Sequence, residues 1–175
     1  MNEKRKEILS IFCRYLILLI TALPNLYLFY LIFTPLTIFP SHFLINQFYP
    51  SKIEGSLIVT SCNIIELLDA CIAGAAYYLL LVLNLTTSNI SLKTRIKSIA
   101  FSWAAFLSIN VARIFIFSIL FLTGFTFFST THLLFWYLGS TLIIFLIWLA
   151  EIKLFKIKDI PVYSDLKVLF KEIKF

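Results

Sequence analysis

The sequence predicts an all-α, polytopic membrane protein with about four transmembrane helices, both termini in the cytoplasm and a C-terminal amphipathic helix. Three observations predict it. Apolar residues make up 61% of the 175 residues and charged residues only 14%, where a soluble domain has about 45–50% and about 25%. The mean hydropathy of +0.96 would leave large greasy patches on a soluble surface and is the opposite of a disordered composition. The apolar residues fall into runs of bilayer length, roughly 20 residues each, separated by short basic clusters.

Taken in order, the first span covers residues 8–33. Ile8 to Phe33 is apolar apart from Ser10, Cys13, Arg14, Thr21, Pro24 and Asn25. It exceeds the 7–15 residues or so of a signal-peptide core. Lys4, Arg5 and Lys6 precede it and place the N-terminus in the cytoplasm, and Pro24 is expected to kink it. Between Thr34 and Ser56, Pro35, Pro40 and Pro50 argue against one continuous helix. The aromatics Phe39, Phe43, Phe48 and Tyr49 then read as an interfacial loop on the outer side.

The second span is set at residues 66–85. Leu57 to Leu85 is apolar but holds Glu66 and Asp69, so its start reads as an extended, partly wet approach, with the helix proper beginning near Asp69. Lys93, Arg95 and Lys97 return the chain to the cytoplasm. The third span, 98–122, is interrupted, serines apart, only by Asn110 and Arg113. Thr123–Thr131 has no lysine or arginine and is expected outside. The fourth span covers 132–150, and Lys153, Lys156 and Lys158 follow it. Residues 1–160 thus form one membrane domain. The 161–175 tail puts Leu166, Leu169, Phe170 and Ile173 on one helical face beside Lys167, Lys171 and Lys174. Ser164 stands as its N-cap, and the pattern is that of a basic helix lying on the inner leaflet.

The 15 basic and 9 acidic residues, net +6, are arranged as a topology signal rather than as a nucleic-acid patch. Cys13, Cys62 and Cys71 have no zinc-site spacing.

Arg113 is the least tolerable residue in this setting. An arginine deep in a membrane helix is costly on every scale and is functional or paired by default. It lies about 9 residues from the outer end of its span, or ~13 Å, too far for easy snorkelling. Arg113 is 15 residues beyond Ser98 and Cys71 is 15 residues before Thr86, so both lie ~22 Å from the inner boundary. His132 opens the next span at the outer mouth. The topology therefore brings a thiol, a guanidinium and an imidazole to one level on the outer side.

Their chemistry is coherent. A nearby cation favours the thiolate of Cys71, Arg113 can stabilise an oxyanion, and His132 can serve as base and then acid. Asp69, close to Cys71, opposes a thiolate. Taken singly, Cys71 also reads as a small hydrophobe and His132 as an ordinary interfacial residue. Asn110, at i, i+3 from Arg113, either orients the guanidinium or satisfies a neighbouring helix.

At these residues the chain resembles the exosortase/archaeosortase family, particularly its short archaeal members. The resemblance rests on Asp69-Ala70-Cys71-Ile72-Ala73-Gly74, on Asn110-Val111-Ala112-Arg113 and on His132-Leu133-Leu134-Phe135-Trp136, across roughly residues 55–150. Cys71 to Arg113 is 42 residues and Arg113 to His132 is 19, close to the family's spacing. Many members carry Ser-Gly or Thr-Gly directly after the cysteine, where this chain has Ile72-Ala73-Gly74. That departure keeps Cys62 as an alternative nucleophile, though its 51-residue interval to Arg113 is long.

The resemblance implies a membrane cysteine protease/transpeptidase with catalytic Cys71, Arg113 and His132 and supporting Asn110. Its implied substrates are secreted proteins with a C-terminal motif, a hydrophobic helix and a basic end. A membrane lipid amine or another nucleophile is the implied acceptor, with water giving simple proteolysis; no metal or organic cofactor is implied, and the site faces outward from the cell membrane. The competing reading is a non-catalytic membrane subunit in which Arg113 pairs with Glu66 or Asp69.

Overall fold

The computed structural model of the chain describes residues 3–61 and 63–173. Helix dominates. Three helical stretches are long and apolar enough to cross a membrane: α2 (Tyr27–Asn46), α5 (Leu92–Leu122) and the run Phe128–Phe155. That run comprises α6 (Phe128–Leu134), a π-helical turn (Phe135–Gly139) and α7 (Ser140–Phe155). Only 11% of its most apolar window is buried within the protein, so lipid is the solvent that makes such a surface stable. The chain is a membrane protein by this measure.

The expected span at 8–33 is not one helix. It breaks into α1 (Glu3–Ala22) and α2, because Pro24 lacks an N–H and Asn25 and Leu26 both adopt left-handed backbone at φ 51° and 60°. The apolar part of α1, Ile8–Ala22, falls short of bilayer length. The crossing moves to α2, which continues through Pro35 and Pro40 where the sequence reads as a loop. The reason is a buried stripe at every fourth position, Phe29, Phe33, Thr37, Ser41 and Ile45, which packs inward, while both prolines sit on the exposed side. A proline in a membrane helix is tolerated where surrounding structure offsets the lost backbone bond.

The all-α expectation also gives way to a small antiparallel sheet. Strands β1 (Ser51–Glu54), β2 (Leu57–Thr60) and β3 (Ile64–Glu66) lie in that order. Gly55, at φ 65°, makes the two-residue turn between β1 and β2 with Ser56, a position where a positive φ calls for glycine. Three of the four residues of β2, Ile58, Val59 and Thr60, are β-branched, as strands favour, and Ile58 is fully buried in the core with the helices. The extended approach foreseen at 57–61 is β2.

A single helical turn, α3 (Asp69–Ile72), precedes α4 (Gly74–Leu85); Ala73, at φ 60°, breaks them. Gly74 permits Tyr30 to pack directly on the backbone, since an added Cβ would lie 2.9 Å from that ring. Helix α4 is the centre of the core. Tyr77 is fully buried, stacked on Phe33 at 3.5 Å and edge-on to Phe106 at 4.9 Å, and its carbonyl accepts the Trp103 indole N–H at 3.2 Å. Helix α5 runs antiparallel to α4 and turns towards the core a stripe of Ser98, Ser102, Phe106, Asn110, Ile114 and Ser118. Small residues of this kind let membrane helices approach closely.

At the Leu85 end of α4 the open carbonyls are covered by two arginines. Arg14 donates to the Leu85 and Thr87 carbonyls at 2.7 and 3.1 Å and to Asp165 at 2.7 Å. Arg95 donates to the carbonyls of Asn84, Leu85 and Thr87. Glu151, fully buried, accepts from Ser98 at 2.7 Å and Asn84 at 3.0 Å. The tail helix α8 (Tyr163–Ile173) is docked here by the buried Asp165, which also accepts from Ser88. It is thus held by an ion pair and not by its apolar face alone; Leu166 and Phe170 remain exposed. Ser164 lies inside the helix, its hydroxyl donating to the Ile160 carbonyl, so it is not the N-cap. The side chains of Lys171 and Ile173, and Lys174 altogether, fall outside the described residues.

Candidate functional site

At the opposite end of α4 a cleft of about 240 Å³ opens between the sheet and helices α5 and α6. Cys71, Arg113 and His132 all line it, although they come from three elements separated by 42 and 19 residues. The rest of its wall is largely apolar, with Ile65, Leu67, Ile114, Phe117 and Phe128 among the lining residues.

Each member is positioned by its own local structure. Cys71 is the third residue of α3, half-buried, in a turn closed by its N–H donating to the Leu68 carbonyl at 2.7 Å. Its own carbonyl accepts the Asn110 amide N–H at 2.9 Å. Asn110 is 2% exposed, so it is the buried strut that ties the thiol-bearing turn to α5. Of the two roles open to it in the sequence, the structure shows the neighbouring-helix contact.

Arg113 lies one turn further along α5 and donates to the Ser140 hydroxyl at 2.8 Å. A guanidinium carries five N–H donors, and this is its only hydrogen bond to the described residues. Ser140 sits immediately after the π-helical turn, and a local π-bulge is a device often found at functional sites because it re-aims side chains. Within electrostatic reach of the Arg113 charge are the Cys71 thiol, the Tyr77 phenol and the His132 ring.

His132 is exposed at the cleft mouth in α6. Its ring stacks on Phe128 with centroids 5.5 Å apart and meets Phe117 edge-on at 5.2 Å. Two aromatic contacts therefore fix the imidazole plane, while its nitrogens make no hydrogen bond to the described residues.

A thiol, a guanidinium with donors unused by the described residues and an imidazole thus line one largely apolar cleft, a set of groups with which acyl transfer can be performed. The other expected residues are placed elsewhere or differently. Glu66 lines the cleft from β3 but forms no ion pair with Arg113, and Asp69 is exposed beside Tyr30 and Trp136. The pairing required by the non-catalytic reading is therefore not formed among the described residues: the one hydrogen bond of the guanidinium there goes to a hydroxyl instead of a carboxylate. Cys62, the alternative nucleophile, lies outside the described residues. Cys13 is exposed on α1, remote in sequence from the cleft. Ser140 was not singled out by sequence; the only signal is Gly139-Ser140 interrupting an apolar helix. No protein-family model, curated protein or solved structure matches this chain.

Proposed function

We propose that the protein is an archaeosortase-like membrane cysteine protease/transpeptidase that removes C-terminal sorting signals from secreted proteins. The observation that carries the reading is the convergence of Cys71, Arg113 and His132 on one cleft. In this reading α2, the α3–α4 pair, α5 and the Phe128–Phe155 run make four crossings. The basic ends near Lys93 and Lys153 face the cytoplasm and the cleft faces outward.

His132 takes the Cys71 thiol proton, and the thiolate attacks the carbonyl carbon of the scissile peptide. A C–S bond forms, and the resulting oxyanion is stabilised by the unused N–H donors of Arg113. The C–N bond then breaks as His132 returns its proton to the leaving amine. An amine of a membrane lipid, or water, attacks the thioester and regenerates the thiol. Asn110 and Ser140 position Cys71 and Arg113 respectively.

The test is intact-mass spectrometry of surface proteins from cells carrying wild-type protein, Cys71→Ser or Cys62→Ser at matched membrane levels. Retention of a hydrophobic, basic-ended C-terminal tail only with Cys71→Ser is the expected result. Retention only with Cys62→Ser moves the nucleophile, and normal processing in both overturns the thiol chemistry.

A further inference from the structure

The strand nearest the cleft has a backbone edge that the fold leaves open. The ladder between β2 and β3 uses the pairs 60–63, 58–65 and 56–67. Thr60 donates to the Asn63 carbonyl at 2.9 Å, Leu67 donates to the Ser56 carbonyl at 3.0 Å, and Ile58 pairs with Ile65 between them. Neighbouring residues of a strand point their backbone groups to opposite sides. The N–H and C=O groups of Ile64 and Glu66 therefore face away from β2. β3 is an edge strand, and no described group bonds to either residue's backbone on that side. Ile64 is 61% exposed.

An open edge is a template for another strand and is ordinarily blunted or covered. Here it is kept, and it forms one wall of the cleft: Ile64, Glu66 and Leu68, at the spacing of alternate strand residues, all line it. The Leu68 carbonyl in turn closes the turn that carries Cys71. A peptide laid along this row lies in the cleft that Cys71 also lines.

We infer that β3 binds the substrate as an added fourth strand. The Ile64 and Glu66 backbone grips the extended segment that precedes its hydrophobic helix and delivers its scissile carbonyl to Cys71. This rests on the thiol-protease reading and assigns its substrate-binding element. Main-chain hydrogen bonds supply affinity in this mode, and pockets for alternate side chains supply selectivity. The occupant is a single extended peptide. An acyl chain has no groups to pair with the edge, whereas an extended peptide carries the alternating N–H and C=O groups that the Ile64 and Glu66 backbone complements.

The experiment separates the edge from the chemistry. Proline at position 66 deletes the outward N–H without touching the pairs that hold β3 to β2, and proline is tolerated on an edge strand with that N–H free. With Glu66→Pro, tail removal measured by intact mass is expected to slow about tenfold relative to Glu66→Ala, the effect of one lost hydrogen bond to a bound peptide. Equal rates in the two variants, with Cys71→Ser still blocking, overturn the edge and leave the thiol reading standing. Normal processing by Cys71→Ser overturns delivery to Cys71, and normal processing by Cys62→Ser as well overturns the thiol reading with it.

Where Glu66→Pro fails to accumulate, a photo-cross-linking benzoylphenylalanine placed at Ile64 in the Cys71→Ser protein decides the matter. An adduct with a tail-bearing precursor, mapped just ahead of its hydrophobic helix, supports the inference. An adduct with a second copy of this chain, or none, overturns it.

Discussion

The two ends of α4 each hold arginine, and they treat it in opposite ways. At the Leu85 end, Arg14 and Arg95 are spent on carbonyls: between them they reach Asn84, Leu85 and Thr87, and Arg14 adds the Asp165 carboxylate. At the Cys71 end, Arg113 has a single hydroxyl partner among the described residues and lines an open cleft. The difference teaches that a costly intramembrane cation is not functional because of its type or depth. Saturated, it is a fastener for helix ends whose carbonyls otherwise lack partners; under-used beside a thiol, it keeps the donors that the proposed acyl transfer would turn on its developing charge.

This contrast can be broken most directly at the thiol. Cys71→Ser is expected to abolish tail processing while leaving membrane insertion intact, and Cys13→Ser to change neither; intact-mass spectra and membrane levels report both. Next, Arg113→Lys is expected to reduce processing by about 10²-fold, the scale of losing a shaped oxyanion donor, with an unchanged unfolding midpoint in detergent. A lysine variant with full activity would move Arg113 into the fastener class.

Asp165→Ala should do the reverse. Breaking a buried ion pair costs about 3 kcal/mol, so thermal unfolding in detergent should fall clearly while the remaining folded protein processes normally. At the smaller end, Ser140→Ala is expected to slow processing about fivefold, the equivalent of one neutral hydrogen bond, and Ser140→Thr to restore it. Failure of the threonine rescue would show that the π-helical turn, and not the hydroxyl, holds Arg113.

Much of the site was legible in the sequence. Arg113 stands out because lipid offers a charge nothing, and equal residue counts from the inner boundary bring Cys71 to its level. Asn110 was legible as a partner but not as the one that holds the Cys71 carbonyl, because i, i+3 spacing constrains its own helix and says nothing of the next. Ser140 was invisible, since serine in a membrane helix has no signature of its own. The stripe at Phe29, Phe33, Thr37, Ser41 and Ile45 could have identified α2 as a packed helix. Pro35 and Pro40 masked it, because a proline rule taken from water underrates how strongly lipid favours helix.

Composition and charge order settled by themselves what kind of solvent the chain needs, the apolar runs that form its helices, and the unusual standing of Arg113. These follow from local quantities: hydropathy, helix rise and the cost of desolvating a charge. Only the tertiary structure decided which arginines are consumed, that the 51–66 segment folds into a sheet with an open edge, and that the tail is pinned through Asp165. Those outcomes depend on where carbonyls, carboxylates and strand edges from distant segments meet, and a hydrogen-bonding group is defined as satisfied or free only once its neighbours in space are known.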